Sequence, residues 1–305
     1  MNDSPLVSIV IINWNGIRFI DKCIKSILSS TYKNIEIIVV DNASTDGSPE
    51  YLSKRYPNIK LIKNARNLGY ARACNIGIKY AKGDIIAILN NDVWVDASWL
   101  EPLIRILSNP RIGVAGPVIV DPSNKIQNFG YLLHFSCYPI PVNVDNRHEK
   151  LKLDYISGAA IIARKKTLME IGGFDEKFFA FYEDADLCFR LKTKGYECRI
   201  CKSSKIYHIG SASWNKFGLW QFITNENSRL RFIAKHFGLV RLLQSLLIYD
   251  IQYWVNRVID IRSGLTKTQR SGGFNLLLKT LLNVISSRFF ILLLLPRILV
   301  RLKND

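Results

Sequence analysis

Two acidic clusters and one histidine occupy positions from which chemistry can be done. Asn90-Asn91-Asp92 follows directly on the apolar run Ile85–Leu89, and Glu183-Asp184-Ala185-Asp186 follows an aromatic-rich stretch ending at Tyr182. A third acid, Asp41, closes the run Ile35–Val40, and His208 closes Cys198–Tyr207. Carboxylates are oxygen ligands suited to Mg²⁺ or Mn²⁺, and such a cation neutralises negative charge that builds up on a leaving phosphate. A carboxylate positioned beside a hydroxyl can also take its proton. Each group has a plain structural alternative. Asp92 alone reads as a turn residue, because Asn and Asp favour turns. The second cluster reads as a helix start, where acids meet the positive end of the dipole. His208 reads equally well as a strand-end side chain hydrogen-bonded to the backbone.

The elements that must carry these residues alternate. Residues 6–13 are a short run rich in β-branched side chains, as expected of a strand buried on both faces. After a turn at Asn15-Gly16, Phe19, Ile20, Cys23, Ile24, Ile27 and Leu28 recur at helical spacing. The run Ile35–Val40 ends in a dense turn cluster, and a helix over about 49–55 and a strand at 59–62 follow. A helix over 70–81 carries Ala71, Ala73, Cys74 and Gly77, small enough to let another backbone come close. Strand-like stretches recur at 114–120, 155–163 and 198–207, with a helix at 184–194. Residues 121–154 fit no element, and from about Leu219 the pattern is helical to the end. Such alternation predicts a parallel, Rossmann-like α/β sheet, in which ligands bind at the carboxyl ends of the strands. Here those ends carry Asn13, Asp41 and Asp92.

Order and spacing then become specific. Val7-Ser-Ile-Val-Ile-Ile-Asn-Trp-Asn-Gly16, Val39-Val-Asp-Asn-Ala-Ser-Thr-Asp-Gly-Ser48 and Asn67-Leu-Gly-Tyr-Ala-Arg-Ala-Cys-Asn-Ile-Gly77 resemble the opening of family 2 glycosyltransferases. The likeness continues through Gly83-Asp84, Leu89-Asn-Asn-Asp92, Ser157-Gly-Ala159, Gly172-Gly-Phe-Asp-Glu176 and Phe181-Tyr-Glu-Asp-Ala-Asp-Leu-Cys-Phe-Arg190. It covers residues 6 to about 236, with the rhamnosyltransferase-like branch nearest. The resemblance implies a GT-A fold, a Rossmann-like nucleotide-binding domain with a mixed central sheet over 1–236. A basic, helical C-terminal region follows over 237–305. It implies inverting transfer of a sugar, rhamnose or another hexose, from a dTDP- or UDP-linked donor to a lipid-linked saccharide or glycan acceptor. Asp41 matches the acid that contacts the nucleotide base, and Asn13 the point where the first strand meets the nucleoside. Asn67 and Gly69 match the loop lining the donor pocket, and Asn91 belongs with these donor-binding residues. Asp92 matches the last acid of a metal-binding D-x-D motif, for Mg²⁺ or Mn²⁺. Its first carboxylate is here an amide. Asp184 matches the general base, with Glu183 and Asp186 as supporting acids, and His208 a histidine that reaches the metal or the diphosphate.

Charge divides the 305-residue chain unevenly. Residues 1–187 hold 22 Lys/Arg and 20 Asp/Glu, whereas residues 188–305 hold 20 and 5, so nearly all of the net +17 lies at the back. An anionic partner is therefore expected there. Asn225-Glu-Asn-Ser-Arg-Leu-Arg-Phe-Ile-Ala-Lys-His236 resembles the family's Arg-Asn helix, with Glu226 in place of the Arg. Arg229 and Arg231 are candidates for an acceptor's phosphate. Beyond them, leucine stripes are interrupted by Arg288, Arg297, Arg301 and Lys303, and the uncharged run Phe289–Pro296 is far short of the ~20 residues a span needs. These features predict helices lying on an anionic membrane surface, and the competing reading buries the same leucines in a helical subdomain or a homodimer contact.

The six cysteines lack a disulfide spacing. The Cys198-x-x-Cys201 pair falls in a predicted strand, where positions three apart face opposite ways, so its role is structural. Met1-Asn-Asp-Ser-Pro5 has no basic or apolar leader, and the expected location is cytoplasmic, peripheral to the inner face of the membrane. A nucleic-acid binder would need a recognisable reading element, and none is present. A nucleotidyltransferase would carry a Gly-rich basic loop after the first strand, which Asn13-Trp-Asn-Gly16 is not. A catalytically inactive, membrane-associated scaffold of the same fold is the remaining alternative, favoured by the Asn-Asn-Asp motif alone.

Overall fold

The computed structural model describes residues 4–142, 152–210 and 218–249. Its frame is a mixed sheet whose first strands are apolar at every position. All seven residues of β1 (Val7–Asn13) are buried. It pairs in parallel with β2 (Ile35–Asp41) on one side and β4 (Ile85–Asn90) on the other, and β3 (Lys60–Lys63) extends the parallel half beyond β2. Runs of Val and Ile suit this position because neither sheet face meets water. The connecting helices α1 (Ile20–Leu28), α2 (Ser48–Arg55) and α3 (Tyr70–Tyr80) cover the parallel half. Ile20, Cys23, Ile24 and Ile27 form the buried stripe of α1. They share one core with Ile9, Ile11, Val39, Ala87 and the fully enclosed Trp99.

Past β4 the sheet becomes mixed. β5 (Val93–Val95), α4 (Leu100–Leu107) and β6 (Ile112–Val120) follow, and then three short strands, β7 (Ile126–Asn128), β8 (Tyr131–Leu133) and β9 (Pro139–Pro141). β10 (Ala160–Arg164) lies antiparallel between β4 and β6. After α5 (Lys165–Glu170) and α6 (Glu183–Thr193), β11 (Glu197–His208) runs parallel to β6 and antiparallel to β5. The strand order is β3-β2-β1-β4-β10-β6-β11-β5, with β7 paired to β6. An α/β sheet of mixed direction is thus the observed architecture.

The expected strand over 155–163 begins only at Ala160. Residues 155–159 leave the ladder at Ser157-Gly158, where Gly158 gives its N–H to the Asp184 carboxylate instead of to a neighbouring strand. The stretch that fitted no element holds β7, β8 and β9, each three residues long and too short to show a period. Cys198 and Cys201 both lie in β11, and all six thiols are free.

Among the described residues one compact unit runs to 134 and resumes over 138–228; the second comprises 135–137 with 229 onward. α7 (Gly218–Gln244) is broken at Gly238, whose φ of 79° no helix accommodates, and a π-helical turn, Ser245–Tyr249, follows. Within the second unit Arg229 is fully buried, donating from Nη1 to the Ser136 carbonyl at 2.6 Å and to Ser245 Oγ at 3.2 Å. Its guanidinium is thereby engaged inside the protein and not presented to an acceptor. No helix of the described residues is long and apolar enough to cross a membrane. The predicted helices beyond 249 lie outside the described residues.

The small-residue face of α3 has a definite partner. A Cβ on Gly77 would overlap Val10 Cγ1, in the middle of β1. Valine has one stiff rotamer axis and β1 is buried throughout, so neither side can yield. Gly77→Val is expected to lower the unfolding free energy by about 1–3 kcal/mol. The shift should appear in the urea midpoint at unchanged m-value. An unshifted midpoint would show that α3 moves freely away from the sheet.

Candidate active site

The ends of β1, β2 and β4 meet at one buried amide. Asn13 is wholly enclosed; its Nδ2 donates to Asp41 Oδ1 at 2.8 Å and to Ser48 Oγ at 2.9 Å. Its Oδ1 accepts from Asn91 Nδ2 at 2.9 Å. Asp41, 2 % exposed, accepts a further bond from the Ser44 N–H through Oδ2. Gly16 packs directly over this junction, where any Cβ would overlap the Asn91 amide and Asn13 Oδ1. One residue on, Asn42 organises the next loop. Its Nδ2 donates to Asn67 Oδ1 at 2.8 Å and to the Gly69 carbonyl at 3.1 Å, and its Oδ1 accepts from the Leu68 N–H at 3.0 Å. Gly69 sits at φ 85°, against the Phe179 backbone, with no room for a side chain.

Beyond Asn91 the chain enters β5, which pairs with the end of β11 so that His208 lies opposite Val93. That register brings His208 Nε2 to 3.3 Å from Asp92 Oδ1. His208 Nε2 is buried and makes no hydrogen bond. On the same two strands, Trp94 stacks on Tyr207 at 5.3 Å with the rings nearly parallel, and Lys22 caps the Trp94 ring.

α6 supplies the opposing wall. It is entered through Phe181 and Tyr182, both at positive φ, 66° and 64°. Two consecutive non-glycine residues in the left-handed region store strain, and such strain collects at functional sites. The turn delivers Glu183 and Asp184 into the first turn of the helix. Asp184 Oδ2 accepts from the Gly158 N–H and Oδ1 from the Ala185 N–H, each at 2.8 Å. Glu183 is 7 % exposed, and its Oε2 makes no hydrogen bond. Burial pushes both carboxyls above their ordinary range, and the Asp184 charge raises Glu183 further. Asp186 turns the other way, fully enclosed and paired with Arg190 Nε at 2.7 Å.

These pieces enclose a cavity of about 350 Å³. Of the residues singled out in the sequence, Asn67, Gly69, Asn91, Asp92, Glu183, Asp184 and His208 line it together. Asn13 and Asp41 sit behind the lining, joined to it through Asn91, and Asp186 belongs to the interior of α6. Asn42, Tyr131 and Tyr155 also line the cavity and were not foreseen. Asn42 was hidden in a turn cluster dense with equivalent polar residues. Tyr131 lies in the stretch without a period, stacked on Tyr155 at 4.8 Å.

The donor set suits a divalent cation with open coordination positions. Asp92 offers a carboxylate, and the unpartnered buried Nε2 of His208 faces the same oxygen. Among the described residues no three His, Cys, Asp or Glu side chains cluster for a closed protein cage. A cation held here would therefore need oxygen atoms from a ligand as well.

The match to known proteins agrees with this geometry. Residues 8–172 match the family model for glycosyl transferase family 2. The chain is similar to the N-acetylglucosaminyl-diphospho-decaprenol L-rhamnosyltransferase of Mycobacterium tuberculosis, 25 % identical over 77 % of this chain and 86 % of that one. It is also similar to the low-salt glycan biosynthesis hexosyltransferase Agl10 of Haloferax volcanii, 23 % identical over 69 % of each. In fold it resembles the Pyrobaculum calidifontis mannosyltransferase PcManGT in complex with GDP-Man and Mn²⁺. There the TM-score is 0.60 at 14 % identity, covering 95 % of this chain and 84 % of that one. GalNAc-T7 with UDP, GalNAc and Mn²⁺ superposes with a TM-score of 0.58 at 19 % identity, over 68 % of this chain and 44 % of that one. With its mixed GT-A sheet, the chain belongs to glycosyl transferase family 2 and is a glycosyltransferase.

Proposed function

We propose that this glycosyltransferase moves a sugar from a nucleoside diphosphate donor to a lipid-linked or polysaccharide acceptor with inversion at the anomeric carbon. The observation that carries the proposal is the gathering of Asp92, His208 and Asp184, far apart in sequence, on one cavity. Asp184 takes the proton of the acceptor hydroxyl, which attacks the anomeric carbon from the side opposite the departing diphosphate. Two backbone N–H groups fix the Asp184 carboxylate and favour its ionised form, which a base requires. Its raised pKa, due to burial, brings it nearer to working pH. Asp92 and His208 would hold Mg²⁺ or Mn²⁺, which supplies charge neutralisation at the diphosphate. Asn67, Gly69 and Asn91 line the donor side, with Asn13 and Asp41 fixing the strand ends behind them.

The donor is a dTDP- or UDP-linked hexose, and rhamnose is favoured by the mycobacterial relative, whose name also specifies a diphospho-decaprenol acceptor. A lipid-linked acceptor calls for a membrane surface. In the second unit Leu239, Val240, Leu243 and Ile248 are exposed, Val240 to 71 %. They belong to the cationic back of the chain, and this pairing of apolar surface with positive charge supports a peripheral site on the cytoplasmic leaflet. The enzyme then serves polysaccharide biosynthesis at the cell envelope.

Asp184→Asn is expected to lower kcat by ~10²–10⁴-fold while nucleoside diphosphate binding with Mn²⁺, read by thermal shift, persists. Near-normal turnover in that variant would remove the base assignment. The full chain is expected to float with vesicles containing anionic phospholipid, less as salt is raised, and not with neutral vesicles. Equal flotation with both kinds would exclude an electrostatic contribution.

A further inference from the structure

Glu183 and Asp184 are adjacent, both buried and both on the cavity, yet their surroundings differ. Asp184 is met by two backbone N–H donors. Glu183 Oε2 is enclosed with no partner at all. The charged and titratable groups facing Glu183 are Asp184 and Asp186 of its own helix, and Tyr70 and Cys74 on α3. None is a cation, and Arg190 is spent on Asp186. An ionised carboxylate is costly in such a site, where its only donor is its own backbone N–H and no counter-charge faces it. Of the two acids, Glu183 is therefore the one that retains its proton.

A neutral carboxylic acid in a cavity is a hydrogen-bond donor as well as an acceptor. In an in-line displacement the transferred sugar spans the space between the leaving diphosphate and the base. It therefore lies along the wall that runs from Asp92 and His208 to Asp184, and Glu183 is part of that wall. We propose that Glu183 acts in its protonated form, donating a hydrogen bond to an oxygen of the donor's sugar ring or its hydroxyls. This rests on the transfer reading above and adds a sugar-recognising residue distinct from the base. Direct contact with the reacting sugar makes Glu183 a binding residue of the transition state, not a second base.

Glutamine reproduces a protonated glutamate in size and in its ability to donate, so the discriminating pair is Glu183→Gln and Glu183→Ala. Isothermal titration of the full chain with Mn²⁺ would compare UDP with UDP-glucose and dTDP with dTDP-rhamnose. Nucleoside diphosphate alone reports that each variant is folded with its donor pocket intact. For whichever sugar nucleotide the wild type binds better than its diphosphate, Glu183→Ala should lose about 5–10-fold in affinity, and Glu183→Gln should restore it. A Glu183→Ala protein that keeps the full preference for the sugar nucleotide, or a Glu183→Gln protein as weak as Glu183→Ala, overturns the proposal.

Denaturation across pH supplies a second readout that needs no substrate. The folded pKa of Glu183 is raised above its ordinary value of 4.5 by burial and by Asp184. The folded state therefore binds the extra proton, and its stabilising effect is complete below pH 4.5 and is lost as pH rises through neutrality. Wild type should lose stability relative to Glu183→Gln over that range. A difference between the two that stays constant with pH shows that Glu183 is ionised throughout and overturns the neutral acid. If wild type binds neither sugar nucleotide nor diphosphate, the transfer reading fails and the sugar contact with it, whereas the pH comparison still decides the protonation state by itself.

Discussion

One amide bond donor and acceptor, the side chain of Asn13, ties three strand ends into a single rim. A buried amide carries both a donating and an accepting end, and here each is used: Asp41 and Ser48 receive, Asn91 gives. Leaving such groups unpaired in the interior costs about 1–3 kcal/mol apiece, so the three ends hold one another in place. Asn91 precedes Asp92, and Asn42 follows Asp41. The positions of the Asp92 carboxylate just past β4 and of the Asn67–Gly69 loop are thereby consequences of the same junction. No aliphatic residue at 13 could do this, because hydrophobic packing has no direction, whereas a hydrogen bond has.

The second half of the sheet completes the site by a different route. β10 enters antiparallel between β4 and β6 and places Ser157-Gly158 beside α6. β11, irregular between Cys201 and Lys205, ends beside β5 and sets His208 against Asp92. The ends of β1, β2 and β4 thus hold one another, β11, which runs the same way, provides the histidine, and the antiparallel β10 brings the anchoring N–H of Gly158.

Much of this was visible in the sequence, for reasons that differ from residue to residue. β1, β2 and β4 announce themselves as unbroken apolar runs because both faces of the sheet are covered there. Asp92 and Asp184 were identifiable through order and spacing, whereas neither is distinctive alone. The separate fates of Glu183, Asp184 and Asp186 were not legible. All three are acids within one helical turn, and only three-dimensional packing shows that one meets N–H groups on both oxygens, one keeps a buried oxygen without a partner and one meets Arg190. Arg229 was read as a candidate for an acceptor's phosphate because its place on a basic helix gives no sign of burial. Its partners, the Ser136 carbonyl and the Ser245 hydroxyl, lie 93 and 16 residues away, beyond any local pattern. Tyr131 and Asn42 escaped for the same reason: their meaning depends on a neighbour distant in the chain.

Because Asp184 is moored by the main-chain nitrogens of Gly158 and Ala185, neither of those two hydrogen bonds depends on a partner side chain. Substitutions in the surrounding loops can reshape what enters the cavity while the Asp184 carboxylate stays where it is. A carboxylate held this way is kept apart from the shape of the cavity's entrance, and lineages descending from such a scaffold are free to vary that entrance without moving the acid.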